Sequence, residues 1–78
     1  MAQPSRKPYR NLSGDSPVRY YAITPTAILV WFDGGAAYEY DYDRPGRAHV
    51  EAMQRLAENG EGLAAYISQR VKSYARKF

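Results

Sequence analysis

Few residues in this 78-residue chain are of types that do chemistry. His49 is the single histidine. A catalytic histidine needs a nucleophile or a substrate proton within hydrogen-bond reach, and no Ser or Thr is placed beside it. It reads as a partly exposed histidine on a helix. Glu39, Asp41 and Asp43 alternate along a predicted strand and so share one face. Carboxylates grouped in this way can hold a hard cation such as Mg²⁺. They serve equally well as charges that stop a strand edge from pairing with another chain. Arg70, Tyr74 and Arg76 have the groups that a histidine-free ribonuclease would use, without a motif that joins them. The chain therefore reads as a binding domain rather than an enzyme, with no cofactor and no metal.

Residue types that bind are more abundant. Tyr38-Glu39-Tyr40 alternates two aromatic rings on one strand face, either a stacking platform for bases or core under a helix. Arg70, Lys72, Arg76 and Lys77 make the C-terminus basic. Lys72 and Arg76 lie four apart on a predicted helix, away from its apolar stripe, where they can meet phosphates. Cations at a helix C-terminus also complement the helix dipole. Arg6, Lys7 and Arg10 make the N-terminus purely positive, while Asp33, Glu39, Asp41 and Asp43 make the middle purely negative. The net charge of +3 is thus segregated along the chain rather than spread evenly.

Composition narrows the class. Apolar residues make up 45%, which suits a folded domain. Eight tyrosines against two phenylalanines and one tryptophan favour half-buried and interface positions. The absence of cysteine removes disulfides and thiolate metal sites. The longest apolar run, Ala27 to Phe32, is too short to span a membrane, and the N-terminus lacks the apolar stretch of a signal peptide. Cytoplasm, with no membrane partner, is the expected location.

Elements must now position these residues. Residues 1–15 hold Pro4, Pro8, Ser13 and Gly14 with almost nothing apolar, and are expected to form a flexible basic tail. The domain is expected over residues 16–78. Val18 to Thr24 and Ala27 to Phe32 are strands, separated by a turn at Pro25. Ala36 to Tyr42 is a third strand after the Asp33-Gly34-Gly35 hairpin loop. A helix is expected from Pro45, with Val50, Met53, Leu56 and Ala57 as its apolar face and Asn59-Gly60 as its C-cap. Arg47, Glu51 and Arg55 follow i, i+4 steps on its solvated side. A second helix is expected from about Gly62 to Lys77, with a stripe of Leu63, Ile67, Val71 and Tyr74. The fold class is α+β: a three-stranded antiparallel meander followed by a two-helix hairpin packed on one face.

Loop length decides which side chains face the helices. A three-residue loop pairs Phe32 with Ala36, Val30 with Tyr38 and Ile28 with Tyr40, which gathers a core. Leu29 and Trp31 then lie on the opposite face beside Glu39 and Asp41, with Arg19 and Tyr21 extending the patch. A Trp and a Leu on an open sheet face call for a covering layer or a partner.

From Ser16 onward the order of features resembles the KTSC domain. Val30 and Phe32 stand in its apolar strand, Gly34-Gly35 in its turn and Tyr38-Glu39-Tyr40 in its Tyr-x-Tyr core. The Val50 to Glu58 helix, the Asn59-Gly60 turn, and Ile67 with Tyr74 follow. Where the family usually has a Val-Pro step, this chain has Tyr42-Asp43-Arg44-Pro45. The domain occurs at the end of some lysyl-tRNA synthetases and alone in small bacterial and phage proteins, so the resemblance implies RNA binding.

Two functions are expected. One is nucleic-acid binding, RNA before DNA, through Arg70, Lys72, Arg76 and Lys77 on a basic C-terminal helix, aided by Arg6, Lys7 and Arg10. The alternative is a protein-interaction module, such as a phage-type inhibitor or adaptor on a larger protein, or a homodimer. It would use Trp31, Leu29, Tyr21, Glu39 and Asp41.

Overall fold

Strand-forming residues come early in the chain and helix-forming ones late, and the computed structural model, which describes residues 5–77, follows that order. The elements are β1 (Lys7–Pro8), β2 (Val18–Thr24), β3 (Ala27–Phe32), β4 (Ala37–Asp41), α1 (Arg47–Asn59), α2 (Leu63–Arg70) and β5 (Arg76–Lys77). The class is α+β, as expected. The sheet has five antiparallel strands in the order β1-β2-β3-β4-β5 rather than three, because both ends of the chain add an edge strand to the meander.

The β3–β4 hairpin has the expected register. Phe32 N–H donates to the Ala36 carbonyl at 2.8 Å, and Val30 faces Tyr38 and Ile28 faces Tyr40. Gly34 and Gly35 turn the chain at φ 91° and 96°, where a side chain would be strained. The β2–β3 turn is held from two sides. Thr24 Oγ1 accepts from Thr26 N–H at 3.3 Å, and the Gln54 amide of α1 donates to the Thr24 and Ala27 carbonyls.

One face of the sheet makes the core. Ile28 and Val30 are fully buried, and Tyr40 nearly so, against Val50, Met53 and Ala57 of α1 and Leu63 of α2. Burying each such Ile, Val or Leu side chain is worth about 1.5–3 kcal/mol. The Val50, Met53, Ala57 stripe is the one the periodicity predicts. Gly60 closes α1 in the left-handed region, with its N–H donating to Leu56 and Ala57 carbonyls. The first helix begins at Arg47, not at Pro45. Pro45 pairs as an isolated bridge with Asp41, and Gly46 takes the N-cap.

Two expectations about the chain ends are corrected. The expected flexible tail over residues 1–15 is, from Lys7 to Leu12, part of the domain. Lys7 and Pro8 pair with Tyr21 and Tyr20. Tyr9 is 6% exposed in the core, and its hydroxyl accepts from Leu63 N–H at the start of α2. Arg10 donates to the Glu58 carbonyl, and Leu12 N–H to the Gly60 carbonyl at 2.8 Å. One aromatic side chain thus anchors a stretch whose composition is otherwise polar. Residues 1–4, also assigned to that tail, lie outside the described residues.

The second correction concerns the predicted helix over 62–77, which stops at Arg70. Val71 is extended at φ −105°, ψ 115°. β4 would otherwise be an edge with unpaired backbone groups. Ala75 N–H donates to the Glu39 carbonyl at 2.7 Å, and Arg76 and Lys77 then pair with Glu39 and Tyr38. Tyr74 packs its ring edge-on to Tyr38, with 4.9 Å between centroids. A basic C-terminal helix therefore does not exist: Arg70 ends α2, Lys72 is in an extended connection, and Arg76 and Lys77 are on a strand.

Candidate nucleic-acid interface

Both helices stand on the Ile28–Val30–Tyr40 side of the sheet. The other face is built by alternation. In β3 the outward residues are Leu29 and Trp31; opposite them in β4 are Glu39 and Ala37. In β2 their partners are Ala22 and Tyr20. Ala22 and Ala37 are nearly inaccessible, which makes a low floor between taller side chains. Among the described residues, no helix crosses this face.

Tyr20 and Trp31 are direct cross-strand partners, so their side chains rise next to each other. Tyr20 is 37% exposed, and Trp31 is partly buried. From the β1 edge, the Arg6 guanidinium lies 4.2 Å from the Tyr20 ring centroid and 5.5 Å from that of Trp31. A guanidinium at this range is attracted by the negative face of each ring. From the β5 edge, Arg76 reaches back over the same face to Glu39, with Nε and a terminal nitrogen each 2.8 Å from Oε1.

Tyr21 does not belong to this patch, contrary to expectation. It is 8% exposed and faces Val30 in the core. The cause is a register irregularity between Val18 and Tyr20, which leaves Arg19 without a partner in the ladder. An extra residue on one strand moves everything after it to the other face. Tyr20 takes the place expected of Tyr21. Two consecutive tyrosines on a strand must point to opposite faces, so the sequence does signal that one of them is outward; the bulge decides which. Arg19 pairs at the surface with Asp33 at 3.2 Å.

Asp41 has the same facing as Glu39 but a different task. Its Oδ1 accepts from the Asp43 and Arg44 backbone N–H groups at 3.0 and 2.9 Å, which forms the turn after β4. Asp41 and Asp43 are therefore tied into turn geometry. Tyr38 and Tyr40 are on the helix side, not on a platform. Tyr38 meets Phe32 and Tyr74 edge-on, and burial pushes the Tyr40 phenol up to about 12, with the neighbouring Tyr38 and Tyr74 phenols adding to it. His49 Nδ1 lies 2.8 Å from the Tyr66 hydroxyl, a half-buried contact that joins α1 to α2.

The cations expected to bind phosphate are distributed as follows. Arg6 and Arg76 come to opposite margins of the Trp31 face. Lys7 and Lys77 follow them on the same two edge strands, with the Lys77 ammonium 5.6 Å from the Tyr38 ring centroid on the helix side. Arg10 is engaged with the end of α1. Arg70 and Lys72 are exposed but are not part of either edge strand. The open face is thus bordered by one arginine at each edge, Arg6 and Arg76, drawn from opposite ends of the chain, with an aromatic pair between. No family model matches the chain, and no curated protein or solved structure matches it.

Proposed function

We propose that this domain binds single-stranded RNA across its open sheet face. Arg6 and Arg76 would hold the backbone at the two edges, and Tyr20 and Trp31 would carry bases between them. The observation that supports this best is the convergence of Arg6 on the Tyr20 and Trp31 rings. A cation over two adjacent rings, on a sheet face that no described helix crosses, brings together the groups that single-strand binders use, rings to stack bases and a positive charge that can move to a phosphate. Net charge of +3 favours an anionic partner over a neutral or basic one. Antiparallel strands are about 4.8 Å apart, so the five strands offer roughly 19 Å from edge to edge, room for a few nucleotides rather than a long tract. RNA is preferred to DNA on the resemblance to the KTSC domain.

The test is fluorescence anisotropy of short labelled RNA oligomers at low salt. The wild-type protein is expected to bind, and Trp31→Ala to fold and lose most of the affinity, since a base–aromatic stack is worth about 1–3 kcal/mol. No binding to any single-stranded oligomer at low salt would overturn the proposal. Unchanged affinity in a folded Trp31→Ala protein would do the same.

A further inference from the structure

Glu39 stands on this face diagonally across from Trp31, since its direct partner in β3 is Leu29 and that of Trp31 is Ala37. Its side chain is 19% exposed, low for a surface carboxylate. Arg76 fixes it: Nε and a terminal guanidinium nitrogen each lie 2.8 Å from Oε1. A carboxylate offers about four acceptor sites, so with these contacts on Oε1 the Oε2 oxygen can accept a further hydrogen bond. The result is a hydrogen-bond acceptor held in a set orientation, diagonally across from Trp31.

Resting on the reading of this face as an RNA platform, we propose that Glu39 is its specificity-determining residue, and that it selects bases with an exocyclic amino group over uracil. For this, a base stacked at Trp31 would turn its hydrogen-bonding edge across the sheet toward Glu39 on β4. Cytosine offers N4–H₂ to a carboxylate, the pairing that acidic side chains make with this base. Uracil has the same ring but a carbonyl oxygen at that position, and two acceptors facing each other repel. Stacking alone is sequence-tolerant, because every base has a π-face. Any preference between two pyrimidines must therefore come from a polar group such as this one. Arg76 is the positioning residue: it holds Oε1 and leaves Oε2 for the base.

The experiment compares rC8 with rU8 at pH 7.5, by anisotropy, for the wild-type protein and Glu39→Gln. These oligomers differ in their edges and little in stacking area. The wild-type protein is expected to bind rC8 about tenfold more tightly, within the range of one good base contact. In Glu39→Gln the ratio should fall to about one, because an amide offers a donor as well as an acceptor. The ratio is the readout: a variant that merely loosens β5 would weaken both oligomers alike and leave it unchanged. Equal wild-type binding of rC8 and rU8 would overturn this inference and leave the platform standing. A preference that persists in Glu39→Gln would also overturn it. Binding of neither oligomer would overturn both the inference and the platform.

Discussion

At the residue scale, the molecule separates aromatic side chains that hold it together from those that face outward. Tyr9, Tyr21 and Tyr40 are buried, whereas Tyr20 and Trp31 sit on the uncovered face. Tyr40 gives a test of the first group. Its folded phenol titrates near 12, above the ordinary 10, so the folded state holds its proton more firmly than the unfolded state. That contribution to stability is complete below pH 10 and is lost as pH rises from 10 toward 12. Tyr40→Phe has no proton to lose there. Its urea midpoint should decline less steeply than that of the wild-type protein between pH 10 and 12; parallel curves would show that Tyr40 is not the buried phenol responsible. The outward pair was half legible in the sequence. Trp31 follows from the Asp33-Gly34-Gly35 loop, which sets the β3–β4 register. Tyr20 does not, because the register irregularity at Arg19 decides which of the two tyrosines is outward, and no residue in the segment marks it.

At the scale of elements, the meander and α1 were readable because local chemistry determines them: glycines in the loop, a 3.6-residue apolar stripe, and a glycine cap. The edge strands were not readable. Leu63, Ile67, Val71 and Tyr74 continue a helical stripe past the end of α2, and an extended chain places Tyr74 against Tyr38 just as well. The unpaired edge of β4 decides in favour of the extended form, a tertiary effect that overrides local periodicity. At the other end, the β1 segment is held near the end of α1. A Cβ built on Gly60 would come 2.7 Å from the Arg10 Cβ, at a φ of +76° that already disfavours a side chain. Gly60→Ala should therefore cost more than the roughly 1 kcal/mol of an ordinary left-handed cap substitution, read as a lower denaturant midpoint. It should also loosen the segment that carries Arg6, and amide exchange at Tyr9 and Leu12 should quicken. A midpoint within error of the wild-type value would show that the packing of Arg10 on α1 is dispensable.

At the scale of the whole molecule, folding converts a charge pattern along the chain into one across a sheet. The positive ends become the two edges; of the acidic middle, Glu39 lies on the face, held by Arg76, while Asp33, Asp41 and Asp43 lie at the turns. This is why parts of two surfaces expected separately from the sequence come together: Arg6 and Arg76 border the open face at Trp31, while Arg10, Arg70 and Lys72 do not. A single strand laid across such a sheet displaces counterions at both margins, so its binding should weaken with salt. Each phosphate that is no longer neutralised should reduce the slope of log K against log salt by about 0.7, so Arg6→Ala combined with Arg76→Ala should flatten it by about 1.4. Arg70→Ala combined with Lys72→Ala should leave the slope nearly unchanged, since neither residue borders this face. The reverse result would move the site of backbone binding to the end of α2.

The claim that the open sheet face is the binding surface is tested most directly by backbone amide NMR of the labelled protein titrated with rC8 at low salt. The expected shifts cluster on Arg6, Tyr20, Ala22, Leu29, Trp31, Ala37 and Glu39, with the Trp31 indole N–H moving most and the outer surface of α1 unaffected. Shifts centred on Arg70 and Lys72, or none at all in a folded sample, would contradict it.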